Sequence, residues 1–401
     1  LASKAVAANP ETKGANFVFY QTLQGFRFVS IETLMLGGFR LFQEKYADGA
    51  AVSKDYPHLA VNAILEDATN DNSSHIPIYS DEILDKFCLR DHVIEEMARL
   101  SESQYPRYLR YRYAYDVYPV IHKVTKFPPL VQIEPTSICN YRCVFCYQTD
   151  KRLTDKKNGH MGVMNLDLFK KIVDQLEGNV EGVTLASRGE PTVNKKLPEF
   201  LQYMSGKFLA TKINTNAYLL NEKVIHAILD ADLQTLVFSA DAASEPLYSQ
   251  LRVNGNLEKV LKNIDQFHQI KEQQYPQSNL ITRVSGVRYS DQQNMGEMDR
   301  FWHEYVDQVA FVDYNPWENI YDAKKNSITS PCSDLWRRMF VWWDGKVAPC
   351  DVDYLTRLSN ETITNNSVSE IWNGNMYKEL RNKHLAGERA CLEPCSRCVV
   401  V

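Results

Sequence analysis

The stretch Cys139-Asn140-Tyr141-Arg142-Cys143-Val144-Phe145-Cys146 decides how this chain is read. Its three cysteines, spaced C-x3-C-x2-C, follow closely on an apolar, strand-like run, Leu130–Ile133. Three thiolates can hold three irons of a four-iron cluster and leave the fourth iron open, whereas a closed four-thiolate site has no such position. Structural zinc is the alternative, with His160 the closest downstream histidine as a fourth ligand; three cysteines alone at a strand end suit the open iron–sulfur site better.

Working outward, the chain adopts a strand–loop–helix rhythm. Apolar runs at Leu130–Ile133, Val180–Ala186, Phe208–Ile213, Leu233–Ser239, Leu280–Val287 and Val309–Val312 read as strands. Helical patterns at Leu166–Leu176, Leu197–Met204, Glu222–Leu229, Leu257–Ile270 and Met295–Tyr305 lie between them. Strands alternating with helices at short spacing predict βα units and a parallel sheet. Six strands fall short of the eight of a closed barrel. The expected fold is therefore α/β, an open partial (β/α)6 TIM-like barrel over residues 126–314. Ligands in such folds sit at the carboxyl ends of the strands, where the cysteine loop lies. A mainly helical extension of unknown role is expected over 1–125, and a small C-terminal iron–sulfur domain over 315–401.

Composition sets limits. With 401 residues, 44% hydrophobic and 24% charged, the chain is an ordinary globular one long enough for two or three domains. A net charge of -5 gives no basic signature, so no nucleic-acid partner is expected. No apolar run approaches the ~18 residues of a membrane-spanning helix. Leu1–Pro10 lacks the apolar core of a signal peptide, and the expected location is cytoplasmic. The chain opens on Leu1 rather than methionine, as a trimmed or tagged chain does, and residues 1 to about 14 carry no fold expectation. The nine cysteines are an odd number, which argues against a disulfide framework and for metal ligation in a reducing compartment.

Before the barrel, Phe26 to Leu41 is largely apolar, Asn70–Ser74 reads as a loop, and Ser80-Asp81-Glu82 caps an amphipathic helix. Asp91–Leu100 continues helical. The tyrosine- and arginine-rich Tyr105–Tyr118 reads as a partly buried amphipathic segment whose arginines snorkel.

Ile133-Glu134-Pro135-Thr136-Ser137-Ile138-Cys139 through Cys146-Tyr147 resembles the signature of the radical S-adenosylmethionine superfamily. The resemblance implies that Cys139, Cys143 and Cys146 ligate a [4Fe-4S] cluster whose unique iron takes the amino and carboxylate groups of S-adenosyl-L-methionine. One electron then cleaves the sulfonium to a 5′-deoxyadenosyl radical, which abstracts hydrogen from substrate. Phe145 matches the aromatic position that packs on adenine. Ser187-Arg188-Gly189-Glu190-Pro191 is similar to the segment that meets the methionyl ammonium, with Arg188 where the family often has glycine. Ser239, Asp241 and Arg252 resemble positions that meet ribose and carboxylate; the fork of arginine suits a carboxylate. Lys212, Asn214 and Asn216 alternate with Ile213 and Thr215, which puts the three polar side chains on one face. Asn214 is grouped with the cofactor-binding residues Phe145, Ser187, Gly189, Glu190, Ser239, Asp241 and Arg252. Arg283 and Ser285 extend the same face on the fifth strand.

The later cysteines are Cys332, Cys350, Cys391, Cys395 and Cys398. They look like a shortened SPASM, or twitch, domain of the same superfamily, which implies one auxiliary [4Fe-4S] cluster on Cys332, Cys350, Cys395 and Cys398. A four-cysteine zinc site is the alternative. Cys391 is left as a spare thiol or an exchange partner of Cys395. As a catalytic residue it would return hydrogen to a substrate radical, and Cys88 is the other candidate donor. Asp353, with Asp351, is either a base or a turn residue. The resemblance implies an oxidoreductase (dehydrogenase) or epimerase acting on a small-molecule substrate such as a sugar, nucleotide or aminocyclitol, served by a flavodoxin- or ferredoxin-type electron donor. Its peptide-modifying members carry a leader-binding domain that begins with three strands, a start not read in this N-terminal segment. Peptide modification is the alternative, and a two-cluster electron-transfer protein is the non-enzymatic one.

Overall fold

A computed structural model describes residues 17–22, 25–30, 41–43 and 91–401. The expected loop at 70–74, the helix beginning at 80 and Cys88 lie outside the described residues. The chain divides after Lys123 into two compact units.

In the first unit, strands β1 (Phe17–Thr22), β2 (Gly25–Ser30) and β3 (Leu41–Gln43) form an antiparallel sheet in sequence order. β1 and β2 pair from Phe17↔Ser30 to Thr22↔Gly25, a two-residue hairpin register. This corrects the expectation that no three-strand start is present. Phe17-Val18-Phe19-Tyr20 and Phe26-Arg27-Phe28-Val29 are dense in the aromatic and β-branched residues that strands favour. They show no clean alternation, which hid the strands from a reading based on period. Helices follow at Asp91–Met97, Tyr105–Asp116 and Tyr118–Ile121. In the second of these, Tyr108, Leu109 and Tyr113 are buried, Tyr108 donates its hydroxyl to Glu96, and Arg112 reaches Asp116 at 2.8 Å while lying over Tyr115. The tyrosines and arginines thus build packing.

The second unit is an α/β body. Its large sheet has six parallel strands, β4 (Leu130–Ile133), β6 (Gly182–Leu185), β7 (Ala210–Thr215), β8 (Thr235–Ser239), β10 (Ile281–Arg288) and β11 (Gln308–Asp313). These are the six expected. Two short strands outside the sheet, β5 (Arg142–Cys143) and β9 (Arg252–Val253), pair with each other antiparallel. The C-terminal segment adds β12 (Arg338–Val341), parallel to β4, and β13 (Val347–Ala348), antiparallel to β12. The strand order is β11-β10-β8-β7-β6-β4-β12-β13. The tryptophan-bearing stretch after 335 therefore extends the main sheet rather than standing apart from it.

The helices between strands begin at matching signals. Asn165, Asn221, Asn256 and Asn294 each accept the backbone N–H three residues on, capping the helices Leu166–Leu176, Glu222–Asp230, Leu257–Gln274 and Met295–His303. Their apolar stripes pack on one face of the sheet. Phe169, Ile172 and Val173 meet Val131, Ile133, Val183, Leu185 and Ile213 in one continuous core. Phe169 and Phe200 stack at 4.1 Å within it. Side chains alternate along a strand, so the partners of these residues point to the other face. One row there reads Gln132, Thr184 and Lys212; the next reads Asn214, Val237, Arg283 and Gln308. That face is largely polar, and Lys212, Asn214, Arg283 and Ser285 on it are half-buried.

Candidate active site

The cysteine loop leaves the carboxyl end of β4 and is held from several sides. Thr136 Oγ1 donates to Gly162 O at 2.7 Å, and Ser137 Oγ accepts Gly162 N at 2.8 Å. Gln148 Nε2 donates to Ser137 O at 2.7 Å. Arg142 Nη1 donates to Cys139 O at 2.8 Å, and the backbone N–H of Tyr141 points at Cys139 Sγ from 3.4 Å. The β5–β9 ladder sets Cys143 opposite Arg252, and Arg252 Nη1 stands 4.0 Å from Cys143 Sγ. Burial pushes the Cys139 thiol up to about 12 and Cys143 up to about 11, and it raises Cys146 too. The neighbouring thiols raise Cys139 and Cys146 further, as negative charges crowded together do. Ligation of a metal centre would release these protons and leave the thiolates.

The segment Ser187–Pro191 packs against this loop. Glu190 N donates to Ile138 O at 3.0 Å, and Tyr147 Oη donates to Ser187 O at 3.0 Å. A Cβ on Gly189 would stand 2.2 Å from Thr136 O and 2.7 Å from Ile138 O, so glycine is required for the approach. Glu190 is buried. Its carboxylate accepts Thr192 Oγ1 at 2.7 Å, Thr215 Oγ1 at 2.6 Å and Asn216 N at 2.7 Å. Burial raises its pKa, and these donors oppose the rise. Asn216 Nδ2 reaches Asn140 Oδ1 at 2.9 Å, linking the end of β7 to the cysteine loop.

Asp241 and Arg252 form a buried ion pair at 2.6 Å, and Asp241 also accepts Val287 N at 2.6 Å. The Arg252 guanidinium lies 6.0 Å from the Phe145 ring, which in turn meets Tyr289 at 5.6 Å. Ser239, the last residue of β8, is half-buried and pairs with Ser285 within β10. The structure thus links Cys139, Cys143, Cys146, Phe145, Arg252 and Asp241 on one side, and Ser187, Gly189 and Glu190 on the other. Asn214 lies on the polar face of β7, two residues before Asn216. The atoms buried here without a hydrogen-bond partner include Ser187 Oγ, Asn214 Oδ1, Asn140 Nδ2 and Arg252 Nε. Orphaned donors and acceptors cost free energy. Asn140 Nδ2 and Arg252 Nε are donors while Ser187 Oγ and Asn214 Oδ1 can accept, which fits a polar cofactor with both hydrogen-bonding senses.

Sequence reasoning gave no role to Glu134. It is fully buried, and its carboxylate accepts Arg188 Nε at 2.8 Å, Arg188 Nη2 at 2.6 Å, Arg188 N at 3.2 Å and Trp343 N at 3.1 Å. Arg188 also donates to Tyr354 O at 2.9 Å and stacks 4.2 Å over Trp342. The departure from glycine at 188 was the available signal, and Glu134 sits inside the quoted motif as its partner.

In the C-terminal segment, Cys332, Cys350 and Cys395 are half-buried, Cys398 is buried and Cys391 is exposed. Cys350 feels the charge of Cys395, Cys332 and Cys398, although burial is what chiefly raises its pKa. Burial also raises Cys332 and Cys395 to about 12. Cys391 instead borders an open cavity of about 600 Å³ lined by Arg357, Met376, Glu379, Lys383 and Glu393. Asp353 is fully buried and its oxygens accept Tyr321 Oη at 2.6 Å, Arg357 N at 2.9 Å and Leu358 N at 2.8 Å. Burial raises it to about 6. Those three donors make it the residue that closes the 353–358 turn. Among the described residues no three His, Cys, Asp or Glu side chains are grouped for a single metal ion.

Two stretches of the chain match known domains. Residues 133–275 match the radical SAM superfamily, and residues 332–399 match an iron–sulfur cluster-binding domain, SPASM. A probable GTP 3',8-cyclase of Methanococcus maripaludis is 30% identical over 132 residues, 32% of this chain and 42% of that protein. The Fe-coproporphyrin III synthase of Methanosarcina barkeri is 29% identical over 117 residues, 29% of this chain and 28% of that protein. The chain thus aligns with less than half the length of these relatives. In fold, it resembles SuiB of Streptococcus suis bound to its precursor peptide SuiA, with a TM-score of 0.53 at 14% identity over 91% of this chain and 89% of that one. The first domain implies a [4Fe-4S] cluster and S-adenosylmethionine, and the second a further iron–sulfur cluster, in which each thiolate takes its own iron. No helix among the described residues is long and apolar enough to cross a membrane. The chain thus carries a radical SAM domain over residues 133–275 and a C-terminal SPASM domain over residues 332–399.

Proposed function

We propose that the protein is a radical S-adenosylmethionine enzyme that abstracts hydrogen from a small polar substrate, a sugar, nucleotide or aminocyclitol, and oxidises or epimerises it with the help of one auxiliary [4Fe-4S] cluster. The observation that carries this reading is the polar sheet face. Lys212, Asn214, Arg283 and Ser285 line it half-buried, opposite the apolar face that packs on helices, and it leads to the strand ends that bear the cysteine loop. A hydroxyl-rich substrate finds hydrogen-bonding side chains there, which an apolar one cannot use.

When bound, the cluster and S-adenosylmethionine supply a 5′-deoxyadenosyl radical. The chain's residues orient and shield. Cys139, Cys143 and Cys146 ligate, with Arg142 holding the Cys139 carbonyl. Ser187, Gly189 and Glu190 receive the methionyl ammonium, with Gly189 allowing backbone carbonyls to approach. Phe145 offers a ring to the adenine, and Ser239, Asp241 and Arg252 take the ribose and carboxylate side. Cys332, Cys350, Cys395 and Cys398 hold the auxiliary cluster, and a ferredoxin- or flavodoxin-type protein delivers the electron. Cys391 is the exposed thiol available to return hydrogen in an epimerisation.

The N-terminal three-stranded antiparallel sheet favours a second reading, modification of a peptide recognised through that domain. The test is anaerobic reconstitution with dithionite and S-adenosylmethionine, supplying deuterated candidates. Deuterium appearing in 5′-deoxyadenosine from a sugar, aminocyclitol or nucleotide supports the first reading. Transfer from a peptide alone replaces it with the second. If no 5′-deoxyadenosine forms under any condition, both fail and electron transfer is left.

A further inference from the structure

Four guanidinium groups in residues 124–401 are buried: Arg188, Arg252, Arg381 and Arg389. Arg188 and Arg252 each face a carboxylate at 2.6 Å. Arg381 stacks over Trp372 at 4.2 Å and Tyr377 at 4.8 Å. Among the described residues Arg389 has neither kind of partner. It is 1% exposed, and it donates Nε to Cys395 O at 3.2 Å, Nη1 to Ser330 O at 3.2 Å and Nη2 to Cys398 O at 2.7 Å. Three carbonyls replace lost water but bring no net negative charge. An isolated buried cation is strongly disfavoured, so a counter-charge is expected close by.

The surroundings name it. Two of the three carbonyls belong to Cys395 and Cys398, the ends of the C-x2-C loop. Among the described residues no carboxylate is within ion-pair distance of Arg389; Asp334, two residues after Cys332, is taken by Arg338 at 2.7 Å, and Asp353 by Tyr321 Oη and two backbone N–H groups.

We propose that Arg389 is the positioning residue and buried counter-charge of the auxiliary iron–sulfur site. Its fork holds the Cys395 and Cys398 carbonyls so that both thiolates of the loop are presented together. Its charge stabilises the anionic, thiolate-ligated cluster, and stabilises the one-electron-reduced form more because that form carries one more negative charge. Reduction by dithionite adds one electron, with no proton moved and no bond made or broken. The proposal rests on Cys332, Cys350, Cys395 and Cys398 as the ligand set.

The test uses the full chain carrying Cys139→Ala, Cys143→Ala and Cys146→Ala, so that iron reports on the auxiliary site alone. Arg389→Gln and Arg389→Lys are added separately. Iron and sulfide are quantified, and the midpoint potential is read by electron paramagnetic resonance during anaerobic titration. Arg389→Gln is expected to make reduction at least tenfold less favourable, a negative shift of about 59 mV for a one-electron couple. Arg389→Lys keeps the charge and is expected to stay nearer the parent than the glutamine variant. Loss of iron in Arg389→Gln with retention at the parent potential in Arg389→Lys also supports the proposal. An unshifted potential in Arg389→Gln, an equal shift in both variants, or equal loss of iron from both overturns it. A parent protein without iron overturns the ligand set and the proposal together.

Discussion

Removing the charge on Glu134 tests how the cysteine loop and the C-terminal hairpin are joined. Four N–H groups converge on this carboxylate, three from Arg188 and one from the backbone of Trp343. Both side chains are nearly inaccessible, at 2% and 0%. In Glu134→Gln one acceptor oxygen remains for four donors, and the new amide N–H groups face other donors. The guanidinium is left buried and unneutralised, held by Tyr354 O and the Trp342 ring. Breaking such a pair costs about 3–5 kcal/mol. Arg188→Met strands the carboxylate instead and costs a similar amount. Because each single variant removes the same interaction, the double variant should fall short of the summed cost by about 2 kcal/mol or more. The assay is anaerobic urea unfolding of the cluster-loaded protein, followed by tryptophan fluorescence, with Trp342 and Trp343 as probes beside the pair. Strict additivity within about 0.5 kcal/mol, or a cost below about 1 kcal/mol for Glu134→Gln, refutes the reasoning.

Three further outcomes follow from the same geometry. Gly189→Ala places a methyl 2.2 Å from Thr136 O and should separate the 187–190 segment from the cysteine loop; S-adenosylmethionine affinity measured by equilibrium dialysis should drop at least tenfold, and unchanged affinity contradicts the packing argument. Cys391→Ala should leave the iron content at two four-iron clusters per chain, since this thiol is exposed on an open cavity; loss of one cluster's iron would make it a ligand, and an unchanged product would remove it as hydrogen donor. Cys350→Ser should halve the iron while preserving reductive cleavage of S-adenosylmethionine, and a matching loss of 5′-deoxyadenosine would show that the two sites do not separate in this way.

The six parallel strands and the helices between them were legible because their signals are local. Runs such as Leu166–Leu176, with Phe169, Ile172, Val173 and Leu176 on one stripe behind an asparagine cap, announce themselves by period and punctuation. The N-terminal strands were missed because Phe17–Tyr20 and Phe26–Val29 carry strand composition without strand period. β12 was missed because Arg338–Val341 is short and belongs to the sheet only by pairing with β4, more than two hundred residues earlier.

What the sequence alone determined was the chemistry on offer: three cysteines after a strand, a second cysteine set near the end, and polar residues alternating along the third strand. Spacing along one segment dictates these, because neighbouring residues cannot move far from one another. Tertiary structure alone decided the partners. Glu134 meets Arg188 and Trp343, Asp241 meets Arg252, Asn140 meets Asn216, and Arg389 closes over Cys395 and Cys398. The links from Glu134 and from Asn140 join segments more than fifty residues apart. All arise from the need to neutralise a charge or satisfy a polar group once folding has removed its water, a demand that exists only after the chain has buried them.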